Sequence, residues 1–184
     1  GTQARWQIRA IDAATTIESV TFFDLDAEVL EAAVAELDDE IDAPVRAAEN
    51  ADAAVAGADL VVTATTSPEP VFDGKNLGDD TVVVAIGAYT PEMQEVGPTT
   101  FERATAVFAD VPDEVAAIGD VRGAPIDEGD LIPYGDLLAG AVEPPTGIVV
   151  VESVGSAVMD AATAELVYEL SDERDLGTIV DLAE

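Results

Sequence analysis

The stretch that decides the fold runs from Asp59 to Pro91. It opens with Asp59-Leu60-Val61-Val62-Thr63-Ala64 and closes that run on the polar turn Thr65-Thr66-Ser67-Pro68. After an intervening loop it resumes as Thr81-Val82-Val83-Val84-Ala85-Ile86, which Gly87-Ala88-Tyr89-Thr90-Pro91 brings to an end. Neither apolar run alternates with polar residues. A strand with one solvated face reads with a period of two, whereas a strand covered by helices on both faces is apolar throughout. The pair therefore predicts two buried parallel strands, each stopping at a turn of small and polar residues.

The same alternation of strand and helix signals extends outward. Upstream, residues 3–14 read as a helix with Ala4, Ile8 and Ile11 on one face, and 19–23 as a short buried strand ended by Asp24. Asp26 is placed to cap a helix that turns Val29, Leu30, Ala33, Val34 and Leu37 inward. A weak strand over 44–48 and a short helix over 50–56, stopped by Gly57, lead into the deciding stretch. Downstream come a helical turn over 99–104, a strand over 106–110, a helix over 111–118, a loop-rich segment over 119–147, a buried strand over 148–151 and a long helix over 156–170. Residues 178–180 are strand-like. Strands separated by helices of this length imply right-handed crossovers and parallel pairing. The expected class is α/β, a Rossmann-like, doubly wound, mostly parallel sheet. Such sheets bind ligands at the carboxyl ends of their strands, which directs attention to Asp24, Thr65 to Ser67, and Gly87 to Tyr89.

Composition removes several chemistries. The 184 residues include 39 acidic and 7 basic ones, a formal charge of -32, yet 48% are hydrophobic. Disorder needs low hydrophobicity as well as high charge, so this is an ordinary core within an acidic shell. With no cysteine and no histidine there is no disulfide, thiol nucleophile, Ser-His-Asp triad or imidazole base. Nucleic acid is not expected as a partner, because phosphate binding needs clustered Lys and Arg. No apolar run reaches the ~18 residues of a membrane span, and Gly1-Thr2-Gln3-Ala4-Arg5 does not read as a leader peptide. So acidic a surface repels itself at low ionic strength and is screened in concentrated salt. The expectation is a cytoplasmic protein of a salt-loving, haloarchaeal-like organism, with inorganic cations gathered at its surface. Asp38-Asp39-Glu40 and Asp127-Glu128 with Asp130 lack the ligand order of a calcium loop and read as solvated surface, so no metal site is expected.

A dinucleotide site needs a glycine turn at a helix start and, ~20 residues later, an acid at the end of the next strand. Gly1 and Asp24 have that spacing. By themselves they read equally as a helix that begins near Gly1 and an ordinary turn residue at Asp24. The wider pattern is more specific. Gly1-Thr2-Gln3-Ala4-Arg5 with Asp24, Gly57-Ala58-Asp59 through Thr65-Thr66-Ser67, Gly87-Ala88-Tyr89-Thr90-Pro91 to Gln94-Glu95, and Ser153-Val154-Gly155 to Asp160 together resemble the ornithine cyclodeaminase/mu-crystallin family. The resemblance covers residues 1 to about 169.

The resemblance implies NAD binding in a Rossmann domain. Gly1, Thr2 and Gln3 would face the pyrophosphate, Asp24 the ribose, Thr65 and Thr66 the ribose and nicotinamide, Gly87 and Ala88 the nicotinamide wall, and Ser153 and Val154 the cofactor ring. An acid at Asp24 is the pattern of NAD-preferring members and disfavours NADP. Each position also has a plain structural reading: a helix cap at Thr65 to Ser67, an N-cap at Ser153. The activity implied is hydride transfer on a small amino acid or cyclic imine, as in alanine dehydrogenases and imine reductases. Conversion of ornithine to proline and ammonia is the alternative. A non-catalytic binding module, or an inactive fragment, is the third.

Two departures from the family pattern matter. Tyr89 stands near the place of the aspartate of cyclodeaminases; a phenol that ionises near ~10 cannot replace a carboxylate base. The family's N-terminal half, which supplies substrate-binding arginines, a catalytic lysine and most of a homodimer surface, has no counterpart here, nor does the first, central strand of the sheet. Residues 1–170 are thus expected to form a cofactor-binding domain incomplete at its N-terminus and inactive alone, and 171–184 a tail returning toward a substrate and dimerisation domain. Lys75, the single lysine, follows Asp73-Gly74 in a loop and is expected to be solvated.

Overall fold

A computed structural model describes residues 1–178 and 180 of the chain. Two compact units are distinguished, Gly1–Val154 and Gly155–Glu184.

The first unit begins with helix α1 (Thr2–Ala14), followed by strand β1 (Val20–Phe22) and helix α2 (Ala27–Glu40). As expected, Asp26 caps α2, its Oδ1 accepting from the amides of Glu28 at 2.9 Å and Val29 at 3.2 Å. Ala33 and Leu37, four residues apart and so on one helix face, are fully buried. They pack with Phe22, Ile41, Ala43 and Val45, and Ala4 and Ile8 of α1 close over this small core. Ion pairs strap α1 to α2: Arg5 to Glu36 at 2.6 Å, Arg9 to Glu40 at 2.5 Å, and Arg9 to Glu36. Strand β2 (Val45–Ala47) pairs in parallel with β1, and helix α3 (Ala51–Val55) is capped by Asn50 and stopped at Gly57, where φ is +76°.

The deciding stretch forms β3 (Leu60–Thr63) and β4 (Val82–Ala85). Helix α4 (Pro98–Arg103), β5 (Ala104–Ala109), α5 (Pro112–Val115), β6 (Leu131–Pro133), α6 (Tyr134–Leu138) and β7 (Ile148–Glu152) complete the unit. These five strands form one sheet in the order β3-β4-β7-β5-β6, parallel at every pairing. Val61, Val83, Val107 and Val150 lie in its core with Phe72, Leu77, Phe101 and Val115. The α/β parallel class is confirmed.

The break in the sheet falls where the missing first strand is expected to leave two unpaired edges. β1 and β2 form a separate two-stranded sheet, and among the described residues neither β1 nor β3 has a strand on its other side. The loop-rich reading of 119–147 missed β6 and α6. β6 is three residues ending in Pro133, which removes an amide donor and suits only a strand at the sheet edge. The helix expected over 111–118 is α-helical only to Val115 and then tightens, Ala117 N donating to Glu114 O and Ile118 N to Val115 O. Lys75 is exposed, as expected.

The second unit is built on helix α7 (Ala157–Glu173), capped by Ser156. The strand expected over 178–180 includes Ile179, which lies outside the described residues.

Candidate functional site

The N-terminus of α1 is uncapped. Gly1 occupies its N-cap position without a side chain to satisfy the first-turn amides, and no acid lies in that turn. A Cβ on Gly1 would meet nothing within 4 Å. The orphan amides and positive end of a 13-residue helix therefore face open space beside Gly1, an arrangement that suits an anion.

Asp24, just past β1, lies beside that helix start. Its Oδ2 accepts from the Gly1 nitrogen at 3.0 Å, and its Oδ1 from Asp26 N at 3.1 Å. Partial burial pushes the Asp24 carboxyl up. The Asp26 amide, the Gly1 amine and the Arg5 charge outweigh that and hold it below the ordinary carboxylate value. The structure thus brings together the turn and the acid that the sequence separates by 23 positions.

The ends of β3 and β4 are tied by one buried side chain. Glu95 is wholly inaccessible, and its carboxylate accepts from Thr63 Oγ1 at 3.0 Å, Gly87 N at 2.7 Å and Thr65 N at 2.5 Å. A Cβ on Gly87 would stand 2.1 Å from Thr65 O, so the two turns touch backbone to backbone and only glycine fits. Thr65 Oγ1 accepts from Ser67 N, and Gln94 N donates to Ser67 O at 2.7 Å, closing the turn beyond β3. Thr66 is exposed, Ala88 buried, and Tyr89 59% exposed.

The end of β7 joins the same edge. Ser153 N donates to Ala85 O at 3.0 Å, Ser153 Oγ to Asp110 Oδ2 at 2.7 Å, and Val154 N to Asp110 Oδ1 at 3.2 Å. Ser153 is therefore held by the ends of β4 and β5. The anticipated residues thus fall into one set around Gly1 and Asp24 and another around Thr65, Gly87 and Ser153. Helix α1, which starts at Gly1, packs against β3, whose end carries the second set.

A family model matches residues 1–175. The chain belongs to the ornithine cyclodeaminase/mu-crystallin family. It is 30% identical over 193 residues to the Delta(1)-pyrroline-2-carboxylate reductase of Bacillus cereus, covering 98% of this chain and 58% of that protein. It is 29% identical to the alanine dehydrogenase of Archaeoglobus fulgidus, covering 97% of this chain and 56% of that one. The structure of the Thermococcus litoralis Delta(1)-pyrroline-2-carboxylate reductase in complex with NADH and L-proline superimposes with a TM-score of 0.88 at 28% identity, over 98% of this chain and 58% of that one. The chain thus spans a little over half the length of these family members.

Sequence reasoning missed the supports. The sequence gives Glu95 a place in the motif but no role, and it does not single out Asp110, Asp120 or Glu152. In a chain with 39 acids an individual carboxylate carries little signal. The available one was position: Glu152 ends an apolar run inside a sheet. Among the described residues, Glu95, Asp120 and Glu152 are the only buried acids. No group of three or more acids there is arranged to hold a metal ion, and no helix is long and apolar enough to cross a membrane.

Proposed function

We propose that the chain is the nucleotide-binding portion of an NAD-dependent oxidoreductase that transfers hydride on a small amino acid or cyclic imine. The observation that carries this reading is the 3.0 Å approach of the Gly1 nitrogen to Asp24, which sets an uncapped helix start beside a carboxylate. The residues present suit a dinucleotide. The amides of the first turn of α1, from Thr2 and Gln3 onward, would take the pyrophosphate, and Asp24 would accept the ribose hydroxyls while repelling a 2′-phosphate, which favours NAD over NADP. Thr65, Thr66, Gly87, Ala88, Ser153 and Val154 would line the nicotinamide end. The nicotinamide would supply the hydride, and these residues would orient it and exclude water.

The related reductase and dehydrogenase support this reading. On it, residues 1–170 form the cofactor domain, and 171–184 lead toward a substrate and dimerisation domain of a longer, cytoplasmic homodimer. The amino acid or imine would be held by that domain. Ornithine cyclodeamination is disfavoured by Tyr89, a phenol 59% exposed where the resemblance places a carboxylate.

Trp6, 62% exposed and one turn into α1, is a built-in reporter. Titrating NADH in molar KCl should quench it saturably, and NADPH should do so only at higher concentration. A folded chain whose Trp6 emission ignores both would overturn the proposal. In the full gene product, NADH oxidation with a cyclic imine or with pyruvate and ammonia supports it; proline formed from ornithine would reinstate the cyclodeaminase reading.

A further inference from the structure

Three buried carboxyl groups stand behind the strand ends, and only one has a full set of donors. Glu95 accepts three hydrogen bonds. Asp120 Oδ1 accepts from the Glu95 and Val96 amides, at 2.5 and 2.9 Å, and so fixes the segment that aims Glu95 at the turns. Asp120 Oδ2 and both oxygens of Glu152 are buried and receive no hydrogen bond from any other protein donor. The Asp120 and Glu152 carboxyls act on each other electrostatically. Glu152 ends β7, opposite Ala85 of β4 and Ala109 of β5, which bring no charge to it. The charged groups acting on it, Asp120, Glu95 and Asp110, are all acidic. Arg122, two residues from Asp120, donates to Pro91 O instead.

Two or three negative charges cannot sit together in a dry interior without compensation. A metal ion is not the answer, since the described acids are not arranged to hold one. A proton is. One hydrogen on Glu152 gives Asp120 Oδ2 the donor it lacks and removes one charge, as in carboxyl pairs that share a proton because both cannot ionise.

We propose that Glu152 is a positioning residue: as a neutral carboxylic acid it donates to Asp120, and through Asp120 and Glu95 that proton sets the turns at Thr65 and Gly87. Hydrogen bonds run from the Glu95 amide to Asp120 and from the two turn amides to the Glu95 carboxylate, and the shared proton would join Glu152 to that chain. Burial is the largest influence on both acids; it pushes Glu152 well above its ordinary value of 4.5 and Asp120 up to about 6. That the turns face a nicotinamide rests on the reading above; the shared proton does not.

The test compares the wild-type chain with Glu152→Gln, whose amide keeps the donor without a titrating proton. In molar KCl the wild-type folding equilibrium constant should fall by about tenfold per pH unit, relative to E152Q, as pH rises above the ordinary glutamate range. Wild-type NADH affinity should weaken over the range in which the proton is lost, and E152Q affinity should not. Identical pH profiles for the two proteins would overturn the proposal. If E152Q does not fold, infrared spectra of the wild-type chain at neutral pH decide: a protonated-carboxyl carbonyl band supports the proposal, and its absence overturns it. A wild-type chain that binds no NADH at any pH, yet differs from E152Q in stability, overturns the cofactor reading and the positioning role while supporting the shared proton.

Discussion

The Gly87 amide donates to Glu95 Oε2 at 2.7 Å, and a Cβ on Gly87 would lie 2.6 Å from the Glu95 carboxyl carbon. The hydrogen bond and the missing side chain are two sides of one fit, since the turn after β4 can approach Glu95 only because nothing projects from residue 87. Gly87→Ala would also press on the Thr65 oxygen at 2.1 Å and its nitrogen at 2.5 Å, backbone atoms that cannot rotate away. Overpacking of this kind costs about 1–3 kcal/mol, and occasionally more. Chemical denaturation in molar salt should place G87A at or above the top of that range, and NADH quenching of Trp6 should be lost even where the variant remains folded.

Glu95 itself offers a graded test. Glu95→Ala leaves Thr63 Oγ1 and the amides of Thr65 and Gly87 without their acceptor in the interior. Each orphaned buried donor costs about 1–3 kcal/mol, so with three donors, two of them part-buried, a loss of at least about 3 kcal/mol is expected. Glu95→Gln keeps one oxygen and should lose roughly half as much. Equal midpoints for E95Q and E95A in urea would show that the carboxylate does not tie the turns.

Asp24 should govern affinity and cofactor choice more than stability. Hydrogen bonds to a charged group contribute about 1.5–3 kcal/mol, or roughly 10- to 100-fold in affinity. Asp24→Asn is expected to weaken NADH by about that factor while narrowing the gap to NADPH, because the 2′-phosphate no longer meets a negative charge. Titration of Trp6 emission with both nucleotides reads the two effects separately. An unchanged NADH-to-NADPH ratio would remove Asp24 from the ribose site.

How much of this was legible beforehand depends on how the signal is carried. Apolar runs such as Leu60–Thr63 and Val82–Ala85 announce parallel strands, although Leu60 and Val82 at their starts are exposed rather than covered, and Asp26 announces the start of α2 by its place before a helical run. The split of the sheet was legible in part: the resemblance indicates the absent strand, and the fold shows β1 and β2 paired only with each other. β6 was hidden by its brevity and by Pro133, which signals a loop unless the strand is known to lie at an edge. In the candidate site, Gly1, Asp24, Thr65, Gly87 and Ser153 stand out in the sequence because each sits at or beside the end of a strand or helix. Glu95, Asp120 and Glu152 act through burial and mutual contact, quantities that tertiary folding sets and no local window contains.

Salt and pH should act on different populations of acids. Nearly all of the charge of -32 comes from groups outside the core, where repulsion is screened within ~3 Å at 1 M salt. Raising KCl into the molar range near neutral pH should therefore raise the melting temperature. Asp24 and Glu40, held below their ordinary values by neighbouring donors and cations, contribute stability that is present at neutral pH and lost as pH falls through their folded values. Asp120 and Glu152 run the other way. Their folded values are raised, so the folded state holds extra protons and its stability falls as pH climbs from the ordinary carboxylate range through about 6 and beyond. Salt reaches the exposed groups and not the buried ones. A grid of melting curves over pH and KCl should show the overall elevation growing with salt while the decline above the carboxylate range keeps its slope. If molar KCl flattens that decline as well, its source is the exposed acids, and the buried pair does not set the alkaline limit of the fold.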